Sequence, residues 1–449
     1  MVERSLGVRE TPGSIPGAPI RRVKNASVDF TAVLRHPWTQ FDSAWTLPQS
    51  CAYPGHCTRS IPGAPIIMHA QNHTYPIRVG LLYGHKPSGH YFAARALADF
   101  FPASVIEPVF IDLSEVYPNL GSFVAKTYLE VLNKTPALWD YVYDNDLVAL
   151  AAKGLKTAIF PYYSGKLAEA LRKKDLKAVV STHALAALLL AKSGKTARPS
   201  PLFAVLTDFY AHSYWPAKGV DLYFSSGRTA DAGLLANGVD PARIITTGIP
   251  VRKEFLLRGD ARQKRKELGL APDLFTVLIA GGSKGLGEIQ LSVDTLKKFL
   301  GKLQLLIMCG ENKKLCAGLE KKLAGQKHIR ISGGFVEYPA DHYRAADLII
   351  GKAGGITIAE TMALNKPMLL FSPLPGQEER NAAFLVKNRL AELAENPRQL
   401  ETLVERYLRH PAPLAAFRRN IARMARPCAA KDIAAAIMER LLKTVDSGQ

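Results

Sequence analysis

Nowhere in its 449 residues does the chain run for about 18 consecutive apolar positions, the length a helix needs to cross a bilayer. The longest apolar stretch, Ala184 to Ala191, falls far short, so no membrane span is predicted. The amino terminus, MVERSLGVRE, has no apolar core like that of a secretory signal, and export is not expected. Cysteine is scarce. Cys51, Cys57, Cys309, Cys316 and Cys428 are odd in number and form neither CxxC nor a Cys/His cluster, which argues against a disulfide framework or a zinc site and fits a reducing cytosol. Acidic residues are also short: 39 against 58 basic ones leave a formal charge of +19, a surface that attracts polyanions. There is no zinc-finger spacing, no ribonucleoprotein motif and no basic heptad region, so nucleic acid is not the expected partner. An anionic membrane surface is favoured instead, which points to a peripheral protein on the cytoplasmic face.

What is present is the composition of a globular protein, 47% hydrophobic and 22% charged, with length for two domains and an additional segment at about 100–200 residues per domain. Residues 1–75 are rich in Pro, Gly and Ser, have no sustained period, and carry SIPGAPI twice, at 14–20 and 60–66. They read as a disordered leader, with Met68 as an alternative natural start. From Ile77 the pattern changes to alternating strands and helices. IRVGLLY (Ile77 to Tyr83), Val105 to Leu113, Ala178 to Ser181 and Leu202 to Leu206 read as strands of one α/β domain over 76–250, with a helix from Tyr91 to Phe101. A second, 251–430, opens with a charged linker and continues through strands Phe275 to Ala280 and Leu303 to Cys309. The apolar-striped helix Ala429 to Lys443 closes the chain.

The stretch DLIIGKAGGITIAETMALNKPMLLFSPLPGQEERN, Asp347 to Asn381, is the most informative. It reads as strand (to Gly351), tight turn (Gly354-Gly355), helix (Ile356 to Asn365) and strand (Met368 to Ser372), a βαβ unit. Paired glycines let backbone approach a ligand, and the helix that follows offers unpaired N–H groups and a partial positive charge to a diphosphate. Glu360 lies about one turn into that helix, where its carboxylate can accept from the hydroxyls of a ribose. Gln377 and Glu378 follow on a Pro/Gly-framed loop at the strand ends where open α/β sheets hold ligands. Gly281-Gly282-Ser283-Lys284-Gly285 stands in the same position after another strand. Each element alone is also compatible with a plain turn or a solvated helix face.

GKAGGITIAE with PLPGQEERNA resembles the donor-binding half of the monogalactosyldiacylglycerol synthase and processive diacylglycerol glucosyltransferase family, related to the lipid I N-acetylglucosaminyltransferase. SGHYFAARAL at 88–97, LTDFYAHSYWPAKGVDLYFSSG at 206–227 and TTGIPVRKEF at 246–255 match in the same order, so the resemblance covers about Ile77 to the end. It implies two Rossmann-like domains facing across a cleft, the GT-B architecture, with residues 431–449 folding back toward the first domain. It further implies an inverting hexosyltransferase that moves glucose or galactose from a UDP-sugar to diacylglycerol or a glycosylated diacylglycerol. The UDP-sugar is a co-substrate; no cofactor is required and no metal-ligand site is expected, although Mg2+ is compatible.

Site residues follow from the matched motifs. His90 is the candidate base, at a helix start whose positive end disfavours the imidazolium; the alternative is a surface histidine. The chain departs from the family's usual loop in Gly84-His85-Lys86-Pro87-Ser88, and His85 is the rival. Donor contacts are expected from Gly281, Gly282, Ser283, Gly354, Gly355, Ile356, Thr357, Glu360, Gln377 and Glu378. Acceptor orientation or cleft support is expected from Gly89, Asp208, His212 and Trp215, with Asp208 equally suited to capping its own turn. Asp144-Asn145-Asp146 imitates a metal-binding DxD but follows an aromatic helical stretch rather than a strand. From Tyr117 to Lys177, Tyr128, Trp139, Tyr141, Tyr143, Phe160, Tyr162 and Tyr163 interleave with lysines and arginines as at a membrane interface, with at least half of the aromatics expected in the core. A UDP-sugar epimerase and a non-catalytic sugar-nucleotide-binding adaptor are the competing readings.

Overall fold

The computed structural model describes residues 76–118, 161–194, 197–199 and 201–446. The chain divides into Met1–Thr46 and Leu47–Gln449, and every described residue belongs to the second unit. The leader, the Asp144–Asp146 triplet and most of the aromatic and basic stretch lie outside the described residues.

Two six-stranded sheets carry the fold, and every strand pair in them is parallel. The first holds β1 (Ile77–Tyr83), β2 (Ile106–Asp112), β3 (Ala178–Ser181), β4 (Leu202–Val205), β5 (Leu222–Ser225) and β6 (Ile244–Thr246), in the order β2-β1-β3-β4-β5-β6. The second holds β7 (Phe275–Ala280), β8 (Leu303–Met308), β9 (Ile329–Ser332), β10 (Leu348–Gly351), β11 (Met368–Phe371) and β12 (Ala391–Ala394), in the order β12-β11-β10-β7-β8-β9. Strands covered on both faces need apolar residues on both sides rather than alternation. AVVS of β3 and LFAV of β4 are accordingly buried at every position. In each sheet the order reverses beside the first strand, between β1 and β3 and between β7 and β10. The carboxyl ends at such a reversal open a crevice because the flanking connections leave in opposite directions. The two crevices receive the segments after Tyr83, Ser181, Ala280 and Gly351.

Helix α1 (Gly89–Ala98) starts earlier than the apolar period predicts because the Ser88 hydroxyl accepts from the Tyr91 N–H and caps it. His90 therefore lies inside the first turn. Helix α2 (Gly355–Ala363) follows β10, and α3 (Gln377–Lys387) follows β11. Gln377 and Glu378 are the first residues of α3, not loop residues as the Pro/Gly frame suggests. Gly376, at φ 87°, turns the chain into the helix, and Glu379 accepts from the Gly376 N–H at 3.1 Å. Glu378 accepts from the Leu374 N–H at 3.0 Å, so two carboxylates draw the PLPG turn into a helix start. Helix α4 (Ala429–Asp446) buries Ala430, Ile433, Ala434 and Ile437 and reaches back to α1 in the first half of the fold. No described helix is long and apolar enough to cross a membrane. Cys309 and Cys316 are free and buried, while Cys428 is disulfide-bonded, so the odd cysteine count did not exclude a single bridge.

The two halves meet at a tight seam. A Cβ on Gly355 would sit 1.9 Å from the Thr207 carbonyl oxygen and 3.0 Å from Asp208 Oδ1. The second glycine of the pair is thus spent on approach to the other domain as well as on the turn. Phe209 stacks on Phe384 at 4.8 Å, Phe92 on Phe335 at 5.9 Å, and Arg95 bridges to Glu337 at 2.8 Å. Replacing Gly355 by Ala inserts a methyl group where backbone stands, and overpacking of this kind costs about 1–3 kcal/mol. A thermal melt should show a lowered midpoint and turnover should fall; a variant that melts and works like the parent would mean that the seam is not closed here.

Candidate functional site

Between the sheets lies a cleft of about 250 Å³ whose walls come from both halves, including His90, Thr207, Asp208 and Gly89 on one side and Gly282, Ser283, Gly354, Ile356, Thr357 and Glu360 on the other. His90 Nδ1 is 2.6 Å from the Thr182 carbonyl oxygen and 3.3 Å from Thr207 Oγ1. A carbonyl can only accept, so Nδ1 carries the hydrogen and the lone pair sits on Nε2. The Thr182 hydroxyl in turn donates to the His90 carbonyl at 2.9 Å, so one residue holds both ends of the histidine. Burial, opposed by the Thr182 hydrogen bond, brings the His90 pKa down to about 4. Burial is the largest cause that keeps the imidazole neutral. His183, 4.6 Å away ring to ring, is held neutral in the same way. His85 is exposed and stands outside the cleft lining.

Opposite His90, the N-cap of α2 is Gly354, and no side chain caps the helix. Its first-turn N–H groups are therefore left without a side-chain acceptor, the arrangement in which a helix start can bind an anion. The start of α1 approaches the same point: a Cβ on Gly89 would lie 3.2 Å from Ile356 Cγ1. Two helix N-termini thus face one another across the cleft and add their partial positive charges. Gly282 and Ser283 line the cleft, whereas Gly281 lies behind them, its Cα facing the Leu286 carbonyl within the loop. Lys284 is bridged to Glu311 at 2.6 Å.

Glu360 is 5% exposed, and Arg252 grips its Oε1 with Nε at 3.2 Å and Nη2 at 2.8 Å. Burial raises the Glu360 pKa and Arg252 opposes the rise. The guanidinium also donates to the Glu337 carbonyl at 2.7 Å and lies over the rings of Phe92 (4.5 Å) and Phe255 (5.1 Å). A buried carboxylate held at one oxygen keeps a second for a ligand hydroxyl.

Asp208 does not cap its own turn through its carboxylate. Its Oδ1 accepts from Asn381 Nδ2 at 2.9 Å and its Oδ2 from Gln377 Nε2 at 3.2 Å, across the seam. Asn381 also donates to the Ala353 carbonyl at 3.0 Å and accepts from the Phe209 N–H at 3.0 Å. Glu378 pairs with Lys352 at the cleft edge. His212 and Trp215 do not line the cleft: both are buried, 5.8 Å apart, with Trp215 in the core of the first half. The membrane-interface reading keeps only a few described members; Tyr162 is 66% exposed, whereas Tyr117 is buried with its hydroxyl donated to the Tyr163 carbonyl.

Sequence reasoning missed Arg252, Lys352, Asn381, Thr182 and Thr207. Arg252, Lys352, Asn381 and Thr207 lie inside runs already matched to the family, RKEF, GKAGG, QEERN and LTDF, so the signal was there but tied to neighbouring positions. Thr182 and Thr207 act through backbone and hydroxyl groups at strand ends, which residue type does not single out.

The family model of monogalactosyldiacylglycerol (MGDG) synthase matches residues 90–251, and that of the glycosyltransferase family 28 C-terminal domain matches residues 276–437. Among curated proteins the chain is similar to the processive diacylglycerol beta-glucosyltransferase of Bacillus cytotoxicus, 29% identical over 320 residues that span 68% of this chain and 79% of that protein. The protein of the same name from Bacillus mycoides is 27% identical over 367 residues, 78% of this chain and 90% of its own. Among solved structures, MurG of Acinetobacter baumannii superposes with a TM-score of 0.51 at 18% identity, covering 81% of this chain and all of the other. A UDP-N-acetylglucosamine 2-epimerase gives 0.52 at 12% identity, covering 81% and 96%. At such identities the likeness carries the GT-B fold, and transferase and epimerase share it.

The lowered pKa of the half-buried His90 has a consequence for stability. Its folded pKa of about 4 lies below the ordinary 6.5, so between these values the unfolded chain binds more protons. Its contribution to stability is full above 6.5 and is lost as pH falls through about 4. In His90→Gln, denaturant melts at stepped pH should show a shallower acid loss across that window than in the parent. Parallel curves would contradict a histidine held neutral by the fold.

Proposed function

Because the chain belongs to the glycosyltransferases that join an MGDG-synthase domain to a family 28 C-terminal domain, we propose that it moves a hexose from a UDP-sugar to diacylglycerol, or to an already glycosylated diacylglycerol, with inversion. The names of the Bacillus relatives support the acceptor and the β linkage. The observation that carries the reading is the neutral His90, with its lone pair on Nε2, across a small cleft from the uncapped start of α2.

In this reading the diphosphate lies against the N–H groups after Gly354 and along Gly282 and Ser283, and the second oxygen of Glu360 accepts from the ribose. Gln377 and Glu378 meet the sugar. His90 Nε2 takes the proton of the acceptor hydroxyl as that oxygen bonds to the anomeric carbon and the bond to the phosphate oxygen breaks on the opposite face. Negative charge grows on the leaving phosphate, where preorganised N–H groups stabilise it without a metal being needed. Gly89 shapes the wall beside His90, while His212 and Trp215 support it from behind. The net charge of +19 and exposed groups such as Tyr162 support docking on an anionic cytoplasmic membrane surface.

His90→Ala should lower turnover by about a hundredfold or more, the usual worth of a general base, while leaving the dissociation constant of UDP-glucose or UDP-galactose near that of the parent. Assays with diacylglycerol vesicles, product mass and linkage analysis would read both. Near-parental turnover in the variant would remove the base. Isomerised sugar from donor incubated without lipid would favour the epimerase reading, and binding of donor and vesicles without release of diphosphate the adaptor.

A further inference from the structure

Every orientation in the Asp208 cluster is dictated by a group that cannot switch roles. The Phe209 N–H can only donate and the Ala353 carbonyl can only accept, so Asn381 must turn Oδ1 to the first and Nδ2 to the second. That Nδ2 group also faces Asp208 Oδ1, which must therefore accept. Burial pushes the Asp208 pKa up to about 6, with Glu378 adding to the rise and the Asn381 hydrogen bond and Lys352 opposing it, so the group is an anion at neutral pH. An ionised carboxylate accepts with both oxygens, so its Oδ2 binds the amide nitrogen of Gln377 and not its oxygen. Gln377 lines the cleft, and among the described residues its Oε1 has no partner.

We propose that Asp208 is a positioning residue that locks the Gln377 carboxamide so that its oxygen, and not its NH2 group, is offered to the donor sugar, which selects a sugar hydroxyl that donates. This rests on the reading that Gln377 meets the sugar. The device spans the seam: the group that sets the polarity belongs to the first half of the fold and the group it sets belongs to the second. Sugar recognition therefore requires the closed arrangement of the two halves, while the diphosphate cradle after Gly354 belongs to the second half alone.

The test uses the full chain and two probes, UDP-glucose and UDP, in binding titrations alongside kcat and KM. In Asp208→Asn the Asn381 amide still demands an oxygen, so the new NH2 group faces Gln377, which must flip and present its own NH2 to the sugar. Binding of UDP-glucose should weaken about tenfold, as for a lost hydrogen bond with an unsatisfied partner, with KM raised more than kcat is lowered and with UDP binding unchanged. Adding Gln377→Glu gives the new NH2 an oxygen to bind and returns a second oxygen to the cleft, so the double variant should recover most of the loss. Gln377→Glu alone sets two carboxylates face to face and should also weaken UDP-glucose binding, which allows the rescue to be read from that side if Asp208→Asn folds poorly. Parental UDP-glucose binding in Asp208→Asn, an equal loss for UDP, or a double variant no better than either single would overturn the proposal. Gln377→Ala separates the two levels. If it binds UDP-glucose like the parent, the sugar contact itself is wrong; if it weakens binding while Asp208→Asn does not, only the positioning role fails.

Discussion

The close approach of Gly355 to the Thr207 carbonyl is the constraint on which the cleft depends. With a Cβ 1.9 Å from that oxygen excluded, only glycine lets the start of α2 reach the end of β4. That single contact brings together the crevices at the reversals of two separate sheets. One crevice supplies a half-buried imidazole and the other an uncapped helix end. Neither is unusual alone, but facing each other they put a neutral imidazole and an uncapped helix start on opposite sides of one small volume.

Burial then sets the chemistry of the groups that line it and of His183 beside His90. It holds His90 and His183 neutral, it raises Glu360 against the pull of Arg252, and it raises Asp208 to about 6. Desolvation also strengthens each remaining hydrogen bond, so a few fixed partners, such as the Thr182 carbonyl on His90 Nδ1, are enough to choose a tautomer. Charges that would disturb this balance are consumed locally: Lys352 by Glu378 and Lys284 by Glu311.

Much of the fold could be read from the chain because strands buried on both faces announce themselves as apolar runs. Ile77–Tyr83, Ala178–Ser181 and Phe275–Ala280 match the sequence expectation residue for residue. Helix starts were less legible, since the Ser88 cap and the Glu379 cap are side-chain bonds that periodicity does not register. That the βαβ unit at Asp347 to Asn381 and the histidine at the start of α1 would line one cleft was legible from the matched motifs. What could not be read was the partner of each group. Glu360 gave no sign of Arg252, more than a hundred residues earlier, nor Gln377 of Asp208, because the first pair exists only once the second half is folded and the second only once the two halves close. Trp215 was expected to orient the acceptor or to support the cleft; its neighbours place it in the core, outside the cleft lining.

The most direct measurement is a crystal structure of the full chain with uridine diphosphate bound. The diphosphate is expected against the backbone N–H groups that follow Gly354, with the ribose at Glu360 and the open side of the phosphate turned toward His90 Nε2. A diphosphate bound elsewhere, or this cleft left empty at saturating ligand, would contradict the assignment of the site.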